Sequence, residues 1–339
     1  MNRIFSIASL AALAAAAPVN AQDSEKPEYP SPNAIVDAAP ASDWVTIAPS
    51  DLLVMDLAPD AEGNARRVVI QLMPAPFSQG WIRNIRKLAA THWWDGTSIN
   101  RVQDNYVVQW GDAGYDNPES GELEQKALPD GLKTVPESEY VVEHERLPAS
   151  AFKKTPAGTY DDPDLDAAAL DSRTVSDVDP YVDWSSFIRG WPVGTKDTLT
   201  SPIHCYGAVG VGRNYSPDTG SGAELYTVIG HAPRHLDRNI AVVGRIIEGM
   251  EHLSSLPRGK GQLGFYADAR KRVPITSIRL GDALAGEAPP AFEYLNTESE
   301  IFAKYADARA NRRDPFFIVP AGGADICNIP VPVRRVSGE

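Results

Sequence analysis

In the stretch DGTSINRVQDNYVVQWGD, residues 95–112, an arginine and a glutamine interrupt two short apolar segments. Arg101 carries a permanent charge and a planar fork of donors, and Gln109 has an amide that both donates and accepts. Facing a common cleft, the two would make a functional site out of a strand pair. Facing solvent, they would be surface decoration on an ordinary domain. Alternation around Ile99 and Val107, with a polar turn at Gln103–Asn105, places both on exposed strand positions.

Other chemistries find little support. The chain has no G-x-S-x-G elbow, no Walker loop and no H-E-x-x-H. GAVGVG, residues 207–212, lacks the third glycine and helix start of a dinucleotide fingerprint. His231 and His235 are spaced for a metal on one helix face, but Pro233 lies between them and argues for a loop. Cys205 and Cys327 are too few for a cysteine-rich zinc site. They are either two buried thiols or one disulfide closing a long loop.

The bulk numbers narrow the partners. With 45 acidic against 32 basic residues, the net charge is −13, which repels nucleic acid and anionic membranes. Arg3 followed by the apolar run IFSIASLAALAAAAPV and the small-residue motif VNAQ reads as a secretory leader over residues 1–21. No cysteine follows the run, so no lipid anchor is expected. The product is expected to be exported, into the periplasm of a Gram-negative bacterium, with no membrane insertion after leader removal.

Residues 22–45 read as a flexible lead-in rich in Pro, Ala and Ser. Strand-like runs follow at 52–58 and 67–73, and Phe77, Trp81, Ile82, Ile85, Leu88 and Ala89 share a helical face. Strand character resumes at 204–212, 224–230, 240–247 and 273–282. Ile247, Met250, Leu253 and Leu256 mark a short helix, and Ile301, Phe302, Tyr305 and Ala308 another. Between residue 112 and the strand-like sequence from 204, residues 113–200 hold 18 acidic and 8 basic side chains with recurring proline. This composition predicts an irregular surface excursion. Many short strands with few helices point to a β-barrel or sandwich.

Three blocks then carry a resemblance. WDGTSINRVQDNYVVQWGD keeps Asp95-Gly96-Thr97, Arg101-Val102, Tyr106, Gln109 and Gly111-Asp112 in the register of the cyclophilins, the peptidyl-prolyl cis–trans isomerases. GVGRNYSPDTGSGAELYTVIG and RHLDRNIAVVGRIIEGMEHLSSL resemble the second and third blocks of that family, in family order. The resemblance implies a mainly β fold: a closed eight-stranded antiparallel barrel capped by two helices. Its domain would span 46–282, with core segments 46–112 and 202–282, an irregular acidic insertion at 113–201, and a C-terminal extension at 283–339.

The resemblance also implies an activity that needs no cofactor. Rotation about an X-Pro bond requires a site that prefers the twisted amide to either planar form. Arg101 and Gln109 would be the catalytic pair. Tyr106, Val107, Tyr226 and Leu236 would form the proline pocket, Gly212 and Arg213 would pair with the peptide backbone, and Glu224 and His235 would also contact substrate. The partners would be unfolded or extended proline-containing chains. A non-catalytic proline-peptide-binding module, acting as chaperone or scaffold, is the alternative. Asn100, Tyr106, Leu225, Tyr226, His235 and Ile240 depart from the family's usual residues.

Overall fold

The computed structural model describes residues 29–115, 117–147 and 179–336. The leader expected over 1–21 and residues 148–178 of the acidic segment lie outside these residues. The first elements are α1 (Pro32–Asp37), β1 (Trp44–Ile47), β2 (Leu52–Leu57), β3 (Arg66–Leu72), α2 (Gln79–Ala90), β4 (Ser98–Val102) and β5 (Val107–Gly111). Next come β6 (Val142–Glu143), β7 (Trp184–Ile188), β8 (Trp191–Lys196), β9 (Leu199–Pro202), β10 (Ala208–Val211), β11 (Leu225–Val228) and β12 (Val242–Glu248). The last are α3 (Glu251–Ser254), β13 (Val273–Leu280), β14 (Phe292–Leu295), α4 (Glu300–Ala310) and β15 (Val333–Arg335).

Eight strands close into an antiparallel barrel in the order β10-β11-β5-β4-β13-β2-β3-β12. Closure removes free sheet edges, and alternate residues point inward. Leu53, Met55, Val68, Ile70, Ile99, Val108, Trp110 and Leu225 belong to one buried cluster. The helical face read from the sequence supplies Trp81, Ile85 and Leu88 to the same cluster. β2 and β3 read as nearly continuous apolar runs because both faces are covered. Leu52 and Val69, on the outer side, pack with Phe292 and Tyr294 of the C-terminal extension.

Four expectations are corrected. The segment 113–201 is not irregular throughout: β6, β9, β8 and β7 form a four-stranded sheet in that order. Its acidic composition masks Phe187, Ile188, Trp191 and Val193, which are buried. Arg189 and Gly190 both take positive φ, at 49° and 83°, and turn β7 into β8 as a tight hairpin. The lead-in contains α1, whose Ser31 caps the Ala34 N–H and whose first turn holds Pro32. The boundary placed at residue 46 falls inside β1, which pairs with β14 and so belongs with the C-terminal extension. The strand read from His204 begins at Ala208, because residues 204–207 turn into it.

The extension forms a second, smaller core, in which Trp44, Phe187, Leu295, Phe302 and Ile326 are buried together. Cys205 and Cys327 are joined as a disulfide with a Cα–Cα distance of 5.1 Å, across a separation of 122 residues. The bond ties the extension to the approach of β10. On a chain-entropy model, a loop of this length is worth up to about 4–5 kcal/mol.

Candidate active site

The site grows out of strand register. In β4 the pairing with β5 slips between Ile99 and Arg101: Ile99 lies opposite Trp110, and Arg101 opposite Gln109. Asn100 is thus the extra residue of a β-bulge, a device that re-aims the side chain that follows it. The bulge places Arg101 on the face of Gln109, although Ile99, two residues before it, points into the barrel. Asn100 itself is fully buried, and its side-chain amide has no hydrogen-bond partner among the described residues.

From there the register runs straight across four strands. Gln109 pairs with Tyr226 on β11, and Tyr226 pairs with Gly210 on β10. Arg101, Gln109, Tyr226 and Gly210 therefore form one cross-strand row on the outer face. At the usual strand spacing, Arg101 and Tyr226 stand about 10 Å apart. Gly210 is required in this row, since a Cβ there would come within 2.3 Å of the Tyr226 ring. Above the row lies a cleft of about 490 Å³, lined by Arg101, Tyr106, Val107, Gln109, Tyr226 and Leu236 among others.

Arg101 is locked in place. Its Nε donates to the Leu263 carbonyl at 2.7 Å, and Nη1 donates to Gln109 Oε1 at 3.1 Å. Nη2 donates to Gln103 Oε1. Its Cζ lies 5.7 Å from the Tyr106 ring centroid and 5.6 Å from that of Phe265. Burial pulls the guanidinium below its ordinary pKa, opposed mainly by Tyr106 and Glu119. A guanidinium offers five N–H groups, so these three bonds leave two for a ligand.

Gln109 is held from its other side. Its Nε2 donates to Asn117 Oδ1 at 3.0 Å, which fixes Oε1 toward Arg101. Asn117 Nδ2 donates to the Tyr115 carbonyl at 2.7 Å and to Glu224 Oε2 at 3.3 Å. Asn117 comes from the segment read as an excursion, and sequence reasoning missed it. A lone asparagine in a polar loop carries no periodic signal. Phe265 and Leu263 were missed for the same reason.

The remaining predicted residues divide. Tyr106, Val107, Gly212, Arg213, Glu224, Tyr226 and Leu236 all line the cleft. Ile240, noted as a departure, lines it as well. His235 is corrected: it is exposed, and it stacks on Tyr106 at 6.4 Å and 13° rather than facing the cleft. Glu224 is 3% exposed, and its Oε1 accepts the Asp112 N–H at 2.6 Å. Gly111, at φ 143°, permits this approach, since a Cβ there would lie 2.0 Å from the carboxylate. Burial pushes the Glu224 carboxyl well above the usual range, against Asn117, the Asp112 amide and Gln109. Its place is therefore beneath Gln109 rather than along a peptide. The Gly212 N–H already donates to the Glu224 carbonyl at 2.8 Å, and the Arg213 guanidinium clasps the Asn239 carbonyl at 3.0–3.1 Å. What those two positions can offer a peptide is thereby reduced.

Comparison with known proteins gives a consistent picture. No curated protein matches the chain. Among solved structures, cyclophilin AquaCyp293 from Hirschia baltica is similar at 20% identity and a TM-score of 0.60, over 87% of this chain and 94% of that one. That likeness shows the fold. A Cryptosporidium parvum cyclophilin-type isomerase, crystallised in the presence of the dipeptide Ala-Pro, aligns at 12% identity and a TM-score of 0.34. The alignment spans 67% of this chain and 98% of that one. The family model for "Cyclophilin type peptidyl-prolyl cis-trans isomerase/CLD" matches residues 62–280, well over half of the chain. With the closed barrel in place, the chain belongs to the cyclophilin-type peptidyl-prolyl cis–trans isomerase family.

Proposed function

We propose that this cleft performs the family's reaction on exported polypeptides, with Arg101 as the group that favours the twisted amide. An amide resists rotation by ~18–20 kcal/mol because the nitrogen lone pair is delocalised into the carbonyl. Twisting localises that pair on the prolyl nitrogen. A donor aimed at it is then worth more in the transition state than in either planar form. The row from Arg101 through Gln109 to Tyr226 carries the reading. It sets a fixed cation with two N–H groups to offer beside an apolar surface of Tyr226, Val107 and Leu236.

In this arrangement no covalent bond forms and no proton moves. The prolyl ring rests on Tyr226, Val107 and Leu236, Tyr106 closes the Arg101 side, and Arg101 approaches the nitrogen as the peptide plane turns. Gln109 orients the guanidinium and itself takes its orientation from Asn117. Each 1.36 kcal/mol of such selective stabilisation yields about a tenfold rate gain. The leader-like N-terminus and the Cys205–Cys327 disulfide support an exported, periplasmic setting, since disulfides persist in oxidising compartments. Exchange spectroscopy on a tetrapeptide with one Ala-Pro bond tests the activity. The wild-type protein accelerates cis–trans exchange and the Arg101→Ala variant does not. Equal rates for both proteins and for buffer overturn the reading.

A further inference from the structure

His204 is fully buried, and the mechanism above does not use it. It lies between β9 and β10, next to the disulfide. Its Nε2 is 3.0 Å from the Tyr226 hydroxyl, and its Nδ1 is 2.9 Å from Asp237 Oδ1. Its backbone N–H also donates to Asp237 Oδ1 at 2.9 Å. Asp237 in turn accepts from Arg234 Nε at 2.6 Å, and Arg234 Nη1 donates to Asp179 Oδ2 at 2.8 Å. All of these side chains are nearly inaccessible to solvent.

The chemistry of the partners orders the protons. A carboxylate only accepts, so Nδ1 carries a proton, and in the neutral imidazole Nε2 is then the acceptor. The Tyr226 hydroxyl therefore donates to His204 and points away from the cleft. The two ring planes are nearly parallel, at 9° with centroids 6.3 Å apart. Tyr226 can lean this way because its strand partner is Gly210.

What His204 joins is significant. Tyr226, on β11, is the floor of the proline pocket. Asp237 and Arg234 bracket the turn that carries Leu236, the pocket's wall, and His235, the brace of Tyr106. Floor and wall come from separate elements, and one imidazole bonds to both. We propose that His204 is a positioning residue that fixes the Tyr226 floor and the 234–237 wall as one unit, so that the prolyl ring meets a preformed pocket. The inference rests on the cleft being the proline site. Preorganisation of this kind strengthens binding of planar and twisted peptide alike, so it acts on KM and Kd and leaves kcat in place.

Three full-length variants test it: His204→Asn, Tyr226→Phe and the double substitution. Asparagine keeps a donor for Asp237 but does not reach Tyr226, and Tyr226→Phe removes only the hydroxyl. Calorimetry gives Kd for a tetrapeptide with one Ala-Pro bond, exchange kinetics separate kcat from KM, and circular dichroism checks folding. Each single variant raises Kd and KM about fivefold, the scale of one lost buried hydrogen bond. The double variant is no weaker than the worse single one, since both remove the same link. Unchanged Kd and KM, additive losses, or an effect confined to kcat would overturn the inference. Should His204→Asn fail to fold, Tyr226→Phe alone decides by the same criterion. A wild-type protein that binds the peptide without catalysis refutes the proposed function, while Kd still decides the role of His204. A wild-type protein that does not bind the peptide refutes both.

Discussion

At one end of the cross-strand row, Arg101 is held in part-exposed surroundings by three acceptors drawn from three different segments: Gln109, Gln103 and Leu263. At the other end, Tyr226 is buried and meets its polar partner, His204, beneath the cleft. The donor end keeps hydrogen-bonding capacity facing outward, and the pocket end turns it inward. This contrast suits a reaction in which one end must discriminate between twisted and planar amides while the other only has to hold a ring. Substitutions at the donor end are accordingly expected to act on kcat, and those at the pocket end on KM.

The largest separation between the ends is expected from Arg101→Lys. Lysine keeps the charge but loses the fork that engages Gln109, Gln103 and Leu263 together. The loss in kcat should approach about a hundredfold, as for a removed transition-state donor, with KM little changed. Exchange kinetics at several peptide concentrations read both constants; a loss confined to KM would erase the contrast. Asn117→Ala comes next. Freed from Asn117, the Gln109 amide no longer has one orientation, and kcat should fall about tenfold, on the scale of a hydrogen bond to a charged group. At the pocket end, Leu236→Ala should raise KM about fivefold, for roughly 1 kcal/mol of apolar contact, and spare kcat.

The smallest effect concerns the support beneath Gln109. Burial raises the Glu224 carboxyl, so the folded state holds its proton at pH values where the unfolded chain has released it. The stability tied to that proton is complete below the unfolded carboxylate pKa and declines as pH rises toward and through the folded value. Glu224→Gln keeps an acceptor for the Asp112 amide and removes the titration. Thermal unfolding should show the variant gaining on the wild-type protein as pH rises above the ordinary carboxylate range. Parallel curves across that range would mean that Glu224 is not held protonated.

Much of the donor end was legible in the sequence, but not the reason it works. β2, β3, β5 and β13 fall where apolar periodicity placed them, because closing a barrel imposes a strict inside and outside. Alternation read Arg101 as a surface residue and could not show that it faces a cleft, because its face is set by the Asn100 bulge, and a bulge leaves no periodic trace of its own. The resemblance, rather than the pattern, brought Arg101 and Gln109 together. Asn117 was hidden in a loop, and His204 looked like the first residue of a strand. The hairpin at 184–196 could have been found from Trp184, Phe187, Ile188 and Trp191 flanking Arg189-Gly190, had the acidic composition around it weighed less. His235 was read as substrate-binding from its position in the motif, and it stacks on Tyr106 outside the lining of the cleft.

The central claim is that Arg101 favours the twisted prolyl amide. It is tested most directly by nuclear magnetic resonance exchange on a tetrapeptide with one Ala-Pro bond, comparing wild-type protein with Arg101→Ala at equal peptide occupancy. Wild-type protein should bring exchange well above the spontaneous rate, which lies on the scale of tens of seconds or longer. Arg101→Ala should bind the peptide with little change in Kd and fall back toward the spontaneous rate. Undiminished acceleration by Arg101→Ala at full occupancy would contradict the account.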